Sequence, residues 1–360
     1  MSIPTTDEVI HAVSTFFRIK GVNQTVRSLE IEINETDFSK KFQVLAQKME
    51  QRNLIARLEK NSLGIFITIS RFQPPPSRRT WIPRLLFAGT IATVMIDGYY
   101  RAVSTNSISK VGDPITIAIL YTASLMGILG IHELGHMIAS VKHKLKVSWP
   151  YFIPGIPILG FVPTFGALIM SRGLIVNRNV LFDVGISGPV AGLVVAVIVS
   201  VYGAYQSPLI PTTEAQELSA NQGLVEIHSS IIMDATIALE GKHIRGEEMI
   251  MSPVLLAAWF GFLITFLNLL PAWQLDGGHV ARATFGLKWH KILTYASIAI
   301  LAGTGYFIMA VFVLVLSMRS LDVKPLDDIS PLSPTRRKMF PLIMVLAFLC
   351  APLPFSILPQ

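Results

Sequence analysis

The spacing of apolar positions divides the chain into two parts. Residues 1–73 contain no apolar run of membrane length. Helical spacing is predicted for Thr6 to Lys20 and for Asp37 to Arg52, and the segments VRSLEIEI, LIARLEK and GIFITIS alternate apolar and polar residues as strands do. The pattern predicts a small soluble α+β domain over residues 1–73, then a stiff proline-rich linker at residues 74–79.

Residues 80–360 contain long apolar segments separated by charged or proline-rich stretches. Each was compared with the roughly 20 apolar residues that a membrane helix needs. The chain is therefore predicted to be mainly α, with a polytopic transmembrane core of about six spans. The predicted spans are Pro83 to Tyr100, Ile115 to Ser140, Val180 to Ala204, Ser252 to Trp273, Ile292 to Met318 and Phe340 to Ile357.

The fifth of these segments, Ile292 to Met318, permits two interpretations. It is longer than a span requires and carries Gly303 and Gly305 near its middle. A single span is slightly favoured over a tight hairpin of two short helices. The single span, however, places the basic residues that follow it on the outer side, against the positive-inside rule.

Between the second and third spans lies VSWPYFIPGIPILGFVPTFGALIMSRG, which is apolar but interrupted by several prolines. Proline removes a backbone donor and breaks helices, so a continuous helix is not expected. Non-helical backbone at membrane depth is tolerated where protein or a water-filled cavity satisfies its polar groups. The segment is predicted to form a re-entrant loop or a β-hairpin that faces an internal site.

Composition and charge agree with a membrane protein. Of the 360 residues 51% are hydrophobic and 15% charged, against about 25% charged in soluble domains. The net charge of +7 comes from bases beside apolar runs, which indicates membrane flanks and not nucleic-acid binding. The single cysteine, Cys350, excludes an internal disulfide and a cysteine-based zinc cluster.

The flanking charges also orient the predicted spans. Basic residues precede the first span, lie between the second and third, and follow the fourth, so these segments are expected to be cytoplasmic. The acidic segment from Gln206 to Met251 is expected outside. The N-terminus does not resemble a cleaved signal peptide. We therefore expect a multi-pass protein of the cell membrane with a cytoplasmic N-terminal domain.

The second span carries the clearest chemistry, because its inner end reads HELGH. On a helix, residues four apart differ by only about 40° in direction, so His132 and His136 can reach one ion with Glu133 beside it. Such a hydrolytic zinc site activates a bound water, whose proton Glu133 would take. Helix packing or a chance match is the alternative, but ionisable groups within a span are costly and usually functional.

A hydrolytic zinc site needs a third protein ligand, and Asp276 in NLLPAWQLDGGH is the candidate at the same predicted depth. Alternatively, Asp276 caps a turn before Gly277 and Gly278. Asn268 could join two helices or donate to a developing oxyanion. The glycines of GISGPVAG are expected to permit close helix packing.

Together these motifs resemble the site-2 protease family of intramembrane metalloproteases. The resemblance is carried by HELGH, FVPTFGALI, FDVGISGPVAG and SPVLLAAWFGFLITFLNLLPAWQLDGGH, covers roughly residues 80 to 290, and is closest to the archaeal, cyanobacterial and chloroplast branch. It implies His132, His136 and Asp276 as ligands of one Zn²⁺ per chain, Glu133 as general base, and Asn268 as a residue that stabilises the tetrahedral intermediate.

The implied function is zinc-dependent cleavage of transmembrane segments during regulated intramembrane proteolysis. A helical substrate must be unwound before attack, and Phe165, Gly166, Ala167, Leu168 and Ile169 are expected to offer it a strand edge. The expected partners are single-span membrane proteins and the lipid bilayer, a homo-oligomer is a possible assembly, and nucleic acid is not expected. The alternative is a metal-ion transporter or a catalytically silent scaffold that uses the same metal site.

Overall fold

A computed structural model of the chain describes residues 5–25, 28–35, 38–62, 64–72, 81–155, 163–168, 174–222, 227–242, 244–318 and 324–352. The predicted linker at residues 74–79 and the predicted substrate-binding residue Ile169 lie outside these ranges. Over the described residues the chain is mainly helical, with a small amount of sheet, as the sequence predicts.

The N-terminal unit has the predicted mixture of helices and strands. Its elements are α1 (Thr6–Ser14), β1 (Ile19–Gln24), β2 (Ser28–Ile33), α2 (Ser39–Gln51), β3 (Leu54–Lys60) and β4 (Ile65–Arg71). The antiparallel sheet has the strand order β1-β2-β4-β3. Alternate residues of β2 are buried, and Phe42, Leu45 and Met49 of α2 join the same core. The first helix ends earlier than predicted, because Ile19 already pairs with β2.

This unit is hydrogen-bonded to the helical part of the chain. The backbone N–H of Leu58 in β3 donates to the carbonyl of Leu326 at 2.8 Å, and the N–H of Leu326 donates to Ile175 at 2.9 Å. The segment around Leu326 and Asp327 therefore lies between β3 and residues 175–177 and continues the sheet. Val176 and Leu326 are buried in the core of the N-terminal unit.

The helical part contains α3 (Trp81–Ile108), α4 (Pro114–Lys142), α5 (Arg178–Gln206), α8 (Pro253–Leu269), α9 (Asp276–Gly303), α10 (Phe307–Ser317) and α11 (Pro334–Cys350). Two of the described helices, α4 and α5, are long and apolar enough to cross a membrane. Side-chain caps define where helices begin: Asp113 accepts from the Thr116 N–H, and Asn177 from the Val180 N–H.

The acidic segment between α5 and α8 is partly folded against the helices. It contains β7 (Leu209–Pro211), α6 (Thr212–Gln222), α7 (Ile231–Leu239) and β8 (Glu247–Met249), and β7 pairs with β8. The apolar face of α7 buries Met233 and Ile237 against α5, where Thr236 is hydrogen-bonded to Ser200 at 2.6 Å.

After α4 the proline-rich segment forms a β-hairpin, one of the two predicted alternatives. Its strands are β5 (Tyr151–Pro154) and β6 (Thr164–Leu168). Phe152 of β5 packs on α3, where its ring lies 5.1 Å from that of Phe87, and it belongs to the same buried cluster as Tyr121, Leu125 and Leu129 of α4. The hairpin therefore packs mainly on α3, and β6 also contacts the helix that carries HELGH.

The slightly favoured single span from Ile292 to Met318 is wrong, because the chain forms a hairpin there. Helix α9 ends at Gly303, Gly305 has φ +88, and α10 begins at Phe307 and packs against α9. A positive φ is readily adopted only by glycine, which explains where the helix is interrupted. Arg282 near the start of α9 contacts Asp328, which follows α10, at 2.7 Å. The chain therefore returns to the end from which it left.

Asp328 joins three separate segments at this end of the helices. Its carboxylate accepts two hydrogen bonds from Arg282 of α9, at 3.0 and 2.7 Å, and one from Nε of Arg178 at the start of α5, at 3.0 Å. Arg282 is only 1% exposed, so the carboxylate compensates a buried cation. Burial alone raises the pKa of Asp328, but the hydrogen bonds and charges of the two arginines outweigh it and hold the pKa below its usual range.

We expect Asp328→Asn to destabilise the protein by about 3 kcal/mol, because Arg282 loses its carboxylate partner in a buried position. Thermal unfolding of the purified protein in detergent measures this loss. The control is Glu59→Gln on β3, which breaks an exposed pair with Lys324 from the same connecting segment and should cost less than about 1 kcal/mol.

Asp328→Asn should also differ from the parent protein in its response to acid. A carboxyl whose pKa is lowered by folding stabilises the native state above its unfolded pKa, about 3.9, and this contribution is lost as the pH falls through the lower folded value. Asp328→Asn should therefore lose less stability than the parent on acidification below about pH 4. An equal acid dependence of both proteins contradicts this role of Asp328.

Candidate metal centre

The two histidines of HELGH lie on one face of α4, as their spacing predicts. Their Nε2 atoms are 3.2 Å apart, and His132 is buried. Glu133, the next residue on the helix, is also buried. Three ionisable side chains are thus held toward the C-terminal end of a helix that is otherwise largely apolar.

Asp276, the predicted third ligand, meets these histidines across about 140 residues of sequence. Its Oδ2 lies 3.3 Å from Nε2 of His132 and 3.3 Å from Nε2 of His136. Asp276 is the first residue of α9, whose N-cap is Leu275 without a side-chain cap. Asp276 therefore does not cap this turn, which was the alternative interpretation.

The spacing of these three donor atoms matches a tetrahedral metal site. Ligands placed tetrahedrally at about 2.0–2.1 Å from an ion are separated from one another by about 3.3 Å. The three observed separations are 3.2, 3.3 and 3.3 Å. Two imidazole nitrogens and one carboxylate oxygen are a donor set that suits zinc and leaves a fourth position open.

The tautomer of His136 is set by the backbone of α5. Nδ1 of His136 lies 2.8 Å from the carbonyl oxygen of Val184. A carbonyl only accepts hydrogen bonds, so Nδ1 carries the proton and Nε2 keeps its lone pair toward Asp276. Metal-binding histidines are commonly oriented by such a contact.

Glycines of α5 provide the space for the ligands. A Cβ on Gly188 would lie 2.1 Å from Nε2 of His136, and one on Gly192 would lie 3.0 Å from Cβ of His132. A Cβ on Gly185 would lie 2.9 Å from the carbonyl oxygen of Asp276. The sequence predicted only helix packing for these glycines. The four-residue spacing of Gly188 and Gly192, which repeats that of the two histidines, is the sign in the sequence of a closer relation to the site.

The loop before Asp276 is held by contacts to the second half of α9. The N–H of Trp273 donates to Oγ1 of Thr294 at 3.0 Å, and Nε2 of His290 donates to the carbonyl of Trp273 at 2.9 Å. A Cβ on Gly277 would lie 2.0 Å from the carbonyl oxygen of Leu269, so the start of α9 approaches the end of α8 at backbone distance. This packing fixes the depth of the Asp276 side chain.

Asn268 is brought to the same site from α8. Its Nδ2 lies 3.4 Å from Nε2 of His132. Of the predicted substrate-binding residues, the backbone of Phe165 to Leu168 forms β6, and Ala167 packs against the cluster around Phe152. Gly166 has φ +86, and no neighbouring atom lies within 4 Å of where its Cβ would be.

Comparison with known proteins agrees with this site. Residues 120–312 match the model of peptidase family M50, a range that contains HELGH, Asn268 and Asp276. The chain belongs to peptidase family M50. This confirms the resemblance to the site-2 protease family that the motifs indicated.

Relatives of this M50 protein include two from Arabidopsis thaliana. Probable zinc metalloprotease EGY1, chloroplastic, is 28% identical over 238 residues, 62% of this chain and 41% of the relative. Probable zinc metalloprotease EGY2, chloroplastic, is 28% identical over 236 residues, 64% of this chain and 41% of the relative. The EGY2 protein of Oryza sativa subsp. indica is 28% identical over 243 residues, with 65% and 42% covered. The chain thus spans about two fifths of these curated relatives. No solved structure matches it.

We expect Gly188→Ala to abolish stoichiometric zinc binding by this M50 protein, because the added methyl group would occupy the position of the His136 imidazole. Metal analysis and zinc titration of the purified protein test this. The matched control is Gly130→Ala on α4, where no neighbouring atom lies within 4 Å of the new Cβ and zinc binding should be unchanged. Normal zinc affinity in Gly188→Ala would contradict the position of the His136 imidazole against Gly188.

Proposed function

We propose that this chain is an intramembrane zinc-dependent endopeptidase that cleaves transmembrane segments of membrane proteins. The observation that carries the proposal is the set of three donor atoms at tetrahedral spacing, His132, His136 and Asp276, at the inner end of a helix of membrane length. Family membership and the names of the relatives, which are zinc metalloproteases, support the same chemistry.

The residues present fit one zinc ion per chain. When bound, the ion supplies a positive charge that activates water and polarises a peptide carbonyl. His132, His136 and Asp276 would hold it, and the Val184 carbonyl would keep His136 in the ligating tautomer. All three ligands come from helices packed at backbone distance, so the donor positions are determined before the ion arrives.

Glu133 is the general base in this mechanism. Its carboxylate takes a proton from water as the water oxygen attacks the carbonyl carbon, and it returns the proton to the amide nitrogen as the carbon–nitrogen bond breaks. Asn268 lies beside His132 and donates its Nδ2–H to the oxygen on which negative charge develops. Both residues act within a buried site, where such interactions are stronger than in water.

The substrate must present an extended backbone to this site. A helix in lipid satisfies its own carbonyls, so local unwinding exposes peptide groups that need new partners. We propose that β6 provides them as a strand edge, because β6 is the strand of the β5–β6 hairpin that contacts α4, the helix that carries HELGH. Substrate recognition by backbone pairing then depends little on the substrate's side chains.

In the proposed topology α3, α4, α5, α8 and α11 each cross the membrane once, and α9 and α10 form a hairpin that enters and leaves on one side in place of the predicted fifth span. The N-terminal unit lies on the same side as Arg282 and Asp328, to which residues 324–328 connect it. By the positive-inside rule this side is cytoplasmic, and we propose the cell membrane as the location. Single-span membrane proteins are the proposed substrates.

We expect Glu133→Gln to keep one zinc per chain and to lose cleavage of a membrane substrate by at least about a hundredfold, because the amide cannot accept the proton. His136→Ala should lose both the metal and the cleavage, and His228→Ala, an exposed histidine, should lose neither. The measurements are metal content and substrate cleavage in proteoliposomes. Unimpaired cleavage by Glu133→Gln would falsify the mechanism.

The same variants separate a protease from a metal-ion transporter. A transporter should carry zinc into proteoliposomes with Glu133→Gln largely active and His136→Ala inactive. A protease should show no such flux, and its substrate should accumulate uncut in cells that carry Glu133→Gln.

Backbone pairing with β6 predicts a period-two response to N-methylation of a model transmembrane substrate. Methyl groups on every second amide near the scissile bond should raise KM several-fold, because those N–H groups face the strand edge. Methylation of the intervening amides should have little effect. A uniform response along the substrate would show that it is not bound as a strand.

A further inference from the structure

A groove of about 300 Å³ lies between α2 of the N-terminal unit and the end of α4, away from the metal centre. Cationic side chains from both sides line it: Lys40 from α2, and Lys142 and Lys144 from the end of α4. The other polar groups that line it are Gln43, Gln47 and His143, and no carboxylate from the described residues does. The groove therefore concentrates positive charge where two parts of the chain meet.

Lysines close to the groove have acidic partners, whereas those that line it do not. Lys41 contacts Glu35 at 2.5 Å, and Lys146 contacts Glu50 at 3.8 Å. Within the described ranges, no ion pair involves any of the three lining lysines. Their positive charge is thus left to be compensated by solvent or by a bound anion.

Local backbone structure makes two of these lysine positions less favourable. Lys40 lies in the first turn of α2, where the helix dipole disfavours a cation and no acidic residue is present. Lys144 has φ +59, a conformation that a residue other than glycine rarely adopts. The dipole of α4 favours Lys142 and Lys144 at its C-terminal end, but it does not account for Lys40.

The surroundings of the groove indicate which anion is available. Ile138 and Val141 on the last turns of α4 are more than 60% exposed, and Trp149 is 75% exposed. Exposed apolar side chains followed by lysines and an indole are typical of the membrane–water interface, where lipid phosphates lie. We propose that this groove binds the phosphate head group of an anionic phospholipid, which links the N-terminal unit to the helix that carries HELGH.

The test compares charge-matched variants of the full-length protein in detergent. Retention of phosphatidylglycerol, with phosphatidylcholine as reference, is measured by native mass spectrometry. Lys142→Gln/Lys144→Gln should weaken phosphatidylglycerol binding by about tenfold or more. The control Lys288→Gln/Lys291→Gln removes the same charge from exposed positions of α9 and should retain parental binding.

A second pair of variants tests whether the N-terminal unit contributes. Lys40→Gln should weaken lipid retention several-fold, and Lys48→Gln on the same helix should not. Equal losses of lipid binding in the groove variants and the control variants would show that only general electrostatic attraction holds the lipid, and they would overturn the proposal. The proposal is also wrong if inorganic phosphate at millimolar concentration displaces the lipid and binds with the same lysine dependence, since the ligand is then a soluble anion. Glu133→Gln should retain the lipid, because the groove is separate from the metal centre.

Discussion

The contact between α4 and α5 at backbone distance is the constraint on which the rest of the site depends. A Cβ on Gly135 would lie 2.5 Å from the carbonyl oxygen of Ser187, and the imidazoles of His132 and His136 occupy the space beside Gly192 and Gly188. Lipid offers little hydrophobic force to drive helices together, so close packing of small residues has to supply the attraction. Glycines at this contact therefore permit the close approach of the two helices and also leave space for the side chains of the metal ligands.

Two carboxylates hold the helices together at the end that carries the site. Asp183 of α5 contacts His143 at the end of α4 at 2.9 Å and accepts two hydrogen bonds from Arg336 of α11 at 2.6 and 2.7 Å. Asp328 joins α5 to α9 in a similar way. Bidentate pairs between arginine and carboxylate are directional as well as strong. They resist sliding of these helices, which glycine contacts alone would allow.

The sequence predicted the parts of this structure that depend on local pattern. Apolar length predicted the positions of α4 and α5, and the spacing in HELGH placed both histidines on one face. Asp276 was found because depth in a membrane relates residues that are distant in sequence. Its contact with both histidines, and the match of their spacing to a metal, required coordinates.

Three features were not decided by pattern reasoning, each for a physical reason. The hairpin of α9 and α10 was one of two alternatives, because a single span has the same apolar composition, and the contact of Arg282 with Asp328 decides between them. Hydrogen bonds between Leu58 and Leu326 are made by backbone groups, which leave no signature in side-chain periodicity. The role of Gly188 depends on a neighbour from another helix.

The attachment of the N-terminal unit limits how it can move. An exposed edge of a sheet is readily paired by another strand, and here the edge strand β3 is paired by residues next to Asp327 and Asp328. The same residues bond to the segment before α5 and, through Arg282, to the helix that begins with Asp276. The N-terminal unit therefore changes its position only if these bonds break or if α5 and α9 move with it. Glycines of α5 lie against both histidines, and α9 carries the aspartate. A movement of α5 and α9 together with the N-terminal unit would therefore alter the spacing of the metal ligands.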